Sequence, residues 1–269
     1  MLFLLRVAAV LLGTAIAAYT DAKTGLIPDK ATYGMIALGV VFNLIEFDPN
    51  LFIVPVVVFA VGFALYWLGK IGGGDVKLFT GIAMLVPFLE GNVFVVHVLL
   101  AAALLSIVFY SAYYTVRYFR KGISFEENKQ GIFKAGLLLV MMTAYLYYVY
   151  TAGFMGTVPA ALFYIVVLFA LVFISLEKGI KKNFFLKDVS IEKLEEDEVI
   201  AEEFLKDSLK EKLALKGKGI LGEKEIAKLK EAGIKIIPVY RNMPPFAPFI
   251  LLGCVAILSM PELFSFLLI

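Results

Sequence analysis

The chain is poor in the side chains that most often build metal and nucleophile centres. Its 269 residues include one cysteine, Cys254, and one histidine, His97. A single cysteine excludes a disulfide framework and a cysteine-rich zinc site. A single histidine excludes a centre of several histidines and disfavours a Ser-His-Asp triad. We therefore predict that Cys254 and His97 are packing residues.

Charged residues are also scarce, at 18% of the chain, against about a quarter in an ordinary soluble domain. Hydrophobic residues make up 61%, and the mean hydropathy is +0.89. The net charge of +2 gives no indication of nucleic-acid binding. This composition predicts a membrane protein that crosses the lipid bilayer several times.

The few charges are concentrated in one segment, because residues 178–243 hold 28 of the 48 charged residues. Long apolar stretches fill the rest, and a helix needs about 20 residues to cross a bilayer core. We therefore predict an all-α polytopic membrane protein with about eight transmembrane helices and a small α+β cytosolic domain. The helices are expected near 2–20, 31–46, 51–69, 76–89, 92–118, 132–152, 157–177 and 244–262.

These predictions divide the chain into a transmembrane domain over 1–177, a cytosolic domain over 178–243 and a C-terminal segment over 244–269 with the last helix. Within the cytosolic domain, apolar spacing predicts one helix from Ile191 to Leu213. A second helix over Glu223–Ala232 and a strand over 234–240 are expected to follow.

Basic residues favour cytoplasmic loops, so their distribution predicts the orientation. With the N-terminus outside, the inward segments and their flanks hold 24 of the 25 lysines and arginines, all except Arg6. Those segments are 21–30, 70–75, 119–131 and 178–243.

The N-terminal segment also resembles a short signal peptide, in which Arg6 is followed by an apolar run and by Ala15-Ile16-Ala17. Retention as the first helix is preferred, because the positive flank is one arginine.

The sequence Gly72-Gly73-Gly74-Asp75-Val76-Lys77 is the strongest chemical signal in the chain. Glycines allow a close approach of backbone to backbone, so a substrate strand could lie beside the Asp75 carboxylate. The alternative is that Asp75 only caps the helix that follows.

Asp21 is the second candidate, and the predicted topology relates it to Asp75. Two predicted spans separate the residues, so both carboxylates emerge on the cytosolic face. Paired carboxyl groups can share one proton, so that one activates water as a general base while the other protonates the leaving amine. We predict aspartic-protease chemistry without a cofactor or metal, since two aspartates without further ligands make a poor metal site.

Both motifs resemble those of the type IV prepilin peptidase family. Gly72-Gly73-Gly74-Asp75-Val76-Lys77 resembles the GxGDxK signature, and Asp21 with Ile27-Pro28-Asp29 resembles the first aspartate motif. The resemblance is closest to archaeal preflagellin (prearchaellin) peptidases, which share both motifs. The order of the motifs, their separation of 54 residues and their common side of the membrane all agree with the family.

The resemblance implies removal of the class III signal peptide from prepilin or preflagellin precursors at the cytosolic membrane face. It assigns Asp21 and Asp75 as the catalytic pair and Gly72, Gly73 and Gly74 as residues that shape the site. Lys77 matches a basic position of the family and is otherwise an interfacial anchor. Asp29 either caps the second helix or contacts basic residues of the leader.

Two departures and two alternatives accompany this resemblance. Bacterial relatives that also N-methylate carry a cysteine-bearing domain before the first aspartate. Only 20 residues precede Asp21, so no N-methyltransferase activity is expected. The archaeal pattern usually has six spans, and the helical hairpin near 132–177 brings the predicted number here to eight.

Two other functions are alternatives. They are an intramembrane protease similar to presenilin or signal peptide peptidase, and an ion-coupled transporter. No oligomeric state is predicted.

Overall fold

The computed structural model describes residues 1–46, 48–194, 198–205, 221–222, 226–227, 229–230 and 233–260. The chain forms two compact units. The first unit contains Met1–Val95 and Phe185–Pro248, and the second contains Val96–Phe184 and the described part of Phe249–Ile269.

Four helices begin the first unit. They are α1 (Leu2–Thr24), α2 (Asp29–Glu46), α3 (Asn50–Trp67) and α4 (Gly73–Leu85). Helix α1 ends at Gly25, which has the left-handed φ of 72° and donates its amide to the Asp21 carbonyl. Helix α4 forms the centre of this unit, since all of its residues from Val76 to Leu85 except Lys77 are buried.

Small residues let two neighbouring helices approach α4 closely. A Cβ added at Gly39 of α2 would lie 2.7 Å from the backbone carbon of Met84. A Cβ added at Gly62 of α3 would lie 2.8 Å from Val76 Cγ1. Larger residues at these positions would push the helices apart, so these glycines set the spacing of the helices around α4.

Arg6 joins three helices through a buried guanidinium group that is 4% exposed. Its Nη1 donates to Asn43 Oδ1 at 2.7 Å and to the Leu85 carbonyl at 2.8 Å, and its Nη2 donates to Glu46 Oε2 at 3.1 Å. The last carbonyls of a helix have no hydrogen-bond donor within the helix. The Arg6 guanidinium group donates to one of them, the Leu85 carbonyl at the end of α4. Arg6 therefore fixes α1 against α2 and α4.

The predicted fourth span over 76–89 is wrong beyond Leu85, where the helix ends. Residues Phe88–Leu89 form β1, which pairs antiparallel with β2 (Asn92–Val93). Glu90 and Gly91 connect the strands with positive φ angles of 52° and 81°. Positive φ at both central residues is the geometry of a two-residue hairpin turn, whose twist matches that of the two strands it joins.

The rest of the first unit contains a three-stranded antiparallel sheet. Its strands are β3 (Leu186–Ser190), β4 (Val199–Ile200) and β5 (Ile236–Tyr240), in the order β3-β5-β4. Val189, Ile200, Ile237 and Val239 contribute to one buried apolar cluster. The small strand region of the predicted domain is thus present.

The helix predicted from Ile191 to Leu213 is wrong over its described part. Residues Ile191–Lys193 form a 3-10 turn, and Val199–Ile200 pair with β5. Tertiary pairing of β-branched residues overrides the helical spacing. Residues 206–213 lie outside the described residues, as does most of the predicted helix Glu223–Ala232. The predicted strand is confirmed over Ile236–Tyr240.

Three long helices form most of the second unit. They are α5 (Phe94–Lys121), whose first two residues belong to the first unit, α6 (Phe125–Thr151) and α7 (Thr157–Ile180). The predicted break within the long apolar stretch is confirmed, because α6 ends at Thr151 and α7 begins at Thr157. Asn128 of α6 accepts the Gly179 amide and donates to the Tyr118 hydroxyl, so it links all three helices. Helix α8 (Ala247–Ser259) ends the described chain.

The protein is mostly helical, as predicted, and five helices of the described chain are long and apolar enough to cross a membrane. These five are α1, α3, α5, α6 and the segment Thr157–Phe185 that contains α7. Helices α4 and α8 have 13 residues each. The total of eight crossings therefore stays a prediction.

We expect Arg6→Met to lower the free energy of unfolding by about 3 kcal/mol, because it leaves buried polar partners unsatisfied. Reversible unfolding in mixed micelles measures this loss. Arg120→Met is the matched control, since Arg120 is exposed. Equal stability of the two variants would contradict the role given to Arg6.

Candidate active site

Asp21 lies in the last turns of α1 and is buried, with 8% of its surface exposed. Its Oδ2 accepts a hydrogen bond from the backbone amide of Ala247 at 2.9 Å. Ala247 is the first residue of α8 and is fully buried. The contact joins residues 226 positions apart.

Asp75 lies in the first turn of α4, ahead of the apolar segment predicted to cross the membrane. Its Oδ1 is buried and has no hydrogen-bond partner among the described residues. Burial raises the pKa of the Asp75 carboxyl group, and the negative charge of Asp21 raises it further. A hydrogen bond with the Gly72 backbone lowers this pKa and so offsets part of the increase.

Asp21 thus lies near enough to Asp75 for its charge to affect the pKa of the Asp75 carboxyl group. Two ionised carboxylates at short range repel each other, and low polarity strengthens the repulsion. This repulsion disfavours two charged carboxylates at the site. No group of three or more His, Cys, Asp or Glu residues that could hold a metal ion occurs within the described ranges.

The three glycines before Asp75 make close contacts rather than unusual turns, since none of them has a positive φ. A Cβ added at Gly72 would lie 3.1 Å from Asp75 Oδ2, and one at Gly74 would lie 3.0 Å from the Cβ of Ile27. A Cβ at Gly73 would contact the ring of Tyr66 at 3.4 Å. These glycines bring the start of α4 against α3 and against the loop after α1.

Lys77 and Asp29 form an ion pair that the motifs alone do not indicate. Lys77 Nζ lies 2.6 Å from Asp29 Oδ1 and 5.1 Å from the centre of the Tyr33 ring. Asp29 is the first residue of α2, where a negative charge is favourable. The side chains are 29% and 60% exposed, so the pair is partly accessible to solvent. The Asp29 carboxylate is thus engaged by Lys77.

Sequence reasoning missed the contribution of the residues at the start of α8. The ring of Phe246 packs against Phe79 of α4, with ring centres 6.4 Å apart. The adjacent Ala247 bonds to Asp21. A backbone amide has no sequence signature, and only the prolines near 244–248 indicate that a helix starts here.

His97 and Cys254 are both buried, as expected of packing residues.

The comparisons with known proteins agree with these motifs. Residues 8–112, which contain both aspartates, match the type IV leader peptidase family. Prepilin peptidase EppA of Methanothermobacter thermautotrophicus is 41% identical over 93 residues. That match covers 32% of this chain and 24% of the relative, so the chain spans about a quarter of that relative's length. No solved structure matches the chain. These partial matches support the predicted type IV prepilin peptidase family and a protease.

We expect the pKa of Asp75 to fall in Asp21→Asn, because the substitution removes a negative charge. The pKa should stay above that of an exposed aspartate, since burial is the larger cause of the shift. Infrared titration of ¹³C-labelled aspartate measures the change. Asp188→Asn in the sheet is the control, because Asp188 is exposed. An unchanged Asp75 titration in Asp21→Asn would show that the two groups do not interact.

Proposed function

We propose that the chain, which belongs over residues 8–112 to the type IV leader peptidase family, is an aspartic endopeptidase of the cell membrane. Its substrates are precursors of the prepilin or preflagellin type, from which it removes the class III signal peptide. The observation that carries this proposal is that buried Asp21 affects the pKa of partly buried Asp75, whose Oδ1 is out of solvent, and that both lie within the matched region. The Asp75 proton supplies the acid and the ionised Asp21 supplies the base.

In the proposed reaction, Asp21 takes a proton from a water molecule while the water oxygen attacks the scissile carbonyl carbon. Asp75 gives its proton to the carbonyl oxygen, which yields a neutral gem-diol intermediate. Asp21 then transfers its proton to the leaving nitrogen, and the C–N bond breaks. One diol hydroxyl returns its proton to Asp75 as the carboxylic acid forms. Water and peptide are consumed, and both aspartates regain their starting protonation states.

Two features support this division of roles. Asp21 accepts the Ala247 amide, and a hydrogen bond from N–H favours a negatively charged carboxylate. Asp75 is held in an apolar environment with Oδ1 unpartnered among the described residues, which favours its neutral form. Different environments for two adjacent carboxyl groups are the usual basis for separate acid and base roles.

The proposed orientation follows from the basic residues. The N-terminus lies outside, and the two aspartates and the segment 178–243 lie in the cytosol. In this arrangement the transmembrane catalytic domain covers 1–177, and the last transmembrane helix lies within 244–269. The leader of a precursor, with its basic residues, approaches from the cytosol. The Asp29 carboxylate is partly exposed, and its charge is paired with that of Lys77.

The small residues before Asp75 give the substrate its access. Gly72 is exposed and carries no side chain, so an extended segment of the precursor can lie against its backbone. Gly73 and Gly74 let Tyr66 and Ile27 pack against the start of α4. Lys77 holds Asp29 through their ion pair. The glycines therefore shape the site, and Lys77 with Asp29 borders it.

We expect Asp21→Asn and Asp75→Asn each to reduce cleavage by at least 1,000-fold, because each substitution removes one of the two proton carriers. The assay incubates the purified protein in vesicles with a prepilin-type precursor and records intact masses. Wild-type protein should give one cut just before the hydrophobic segment.

Asp188→Asn, which changes an exposed carboxylate of the sheet, should cleave as the wild type does. Retained cleavage by either Asp21→Asn or Asp75→Asn, in a preparation that is correctly folded and inserted, would refute the catalytic pair.

A further inference from the structure

The two residues at the start of α8 touch both helices that carry the catalytic aspartates. The Ala247 amide donates to Oδ2 of Asp21 on α1, and both residues are buried. The Phe246 ring packs against Phe79 on α4, one helical turn after Asp75. Residues 246–247 therefore connect Asp21 of α1 with α4, the helix that carries Asp75.

The hydrogen bond to Asp21 follows from how α8 begins. The first amides of a helix have no partner within the helix, and a Ser, Thr, Asp or Asn just before it normally accepts one of them. The residues that precede α8 are Pro244, Pro245 and Phe246, and none has a side chain that can do so. Asp21 takes the place of this local cap, from a position 226 residues earlier.

This contact constrains the carboxylate more than a mobile side chain would. The donor belongs to the backbone of a helix, so its position is fixed by the helix itself. A carboxylate held by such a donor loses rotational freedom and keeps one oxygen in place. Phe246, the adjacent residue, holds the same segment against α4, where Phe79 is buried.

We propose that residues 246–247 are positioning residues for the catalytic pair: the Ala247 amide orients the Asp21 carboxylate, and Phe246 keeps this segment in register with the helix that carries Asp75. This inference rests on the proposed peptidase function. The segment at the start of α8, which lies in the first unit, is thereby part of the catalytic arrangement although it supplies no reacting group.

The alternative role of the contact is purely structural, because the hydrogen bond also satisfies the start of α8. The two roles differ in kinetics. A positioning contact affects the chemical step and lowers kcat, whereas a contact that only stabilises the fold lowers the amount of active protein and leaves its kcat unchanged.

The sharpest test places lactic acid at position 247, which replaces the N–H with oxygen and keeps the methyl side chain. The matched control is lactic acid at Ala256, which removes one hydrogen bond donor from the middle of the same helix. Both proteins are assayed in vesicles on the precursor, with kcat normalised to folded protein and KM measured separately.

We expect kcat to fall about 10- to 100-fold at position 247, as for loss of a hydrogen bond to a charged group, with KM changed less than about twofold. The control at position 256 should keep kcat within about twofold. Ala247→Pro removes the same N–H genetically, and proline fits the first position of a helix.

Two results would overturn the positioning role if the wild type cleaves the precursor. One is an unchanged kcat with lactic acid at position 247, and the other is an equal loss of kcat at positions 247 and 256. A wild-type protein that fails to cleave, and so behaves like Asp75→Asn, would instead refute the peptidase function and the positioning role with it.

Discussion

The repulsion between two buried carboxyl groups is the constraint on which the rest of the structure depends. Bringing Asp21 and Asp75 together out of water is unfavourable if both are charged. Burial and the charge of Asp21 raise the pKa of the Asp75 carboxyl group, and the Ala247 amide donates to Asp21. The environments of the two groups differ, and this difference is what an acid and a base acting together require.

The same two helices are also held together at their other ends. Arg6, near the start of α1, donates to the Leu85 carbonyl at the end of α4. Asp21 and Asp75 lie near the opposite ends, so α1 and α4 run antiparallel and are joined at both. Close contacts at Gly39 and Gly62 then pack α2 and α3 onto α4. The pair of aspartates is therefore supported by a rigid group of four helices.

Sequence reasoning finds what local patterns encode. Apolar stretches predict a helix in each of the eight segments, and the two aspartate motifs identify Asp21 and Asp75, whose charges interact in the structure. It fails where distant pairing decides the outcome. The apolar spacing that includes Ile200 indicates a helix, yet Ile200 pairs with Val239 of β5. The Asp29–Lys77 pair and the Ala247 amide depend on contacts across 48 and 226 positions, which no local pattern encodes.

The central claim is that Asp21 and Asp75 act together on one peptide bond. Binding of a leader peptide whose scissile bond is replaced by a secondary alcohol tests it most directly, because the hydroxyl mimics the diol that lies between the two carboxyl groups. The account predicts that this peptide binds the wild type at least 100-fold more tightly than the unmodified peptide, and that Asp75→Asn abolishes the difference. Equal binding of the two peptides to the wild type would contradict the account.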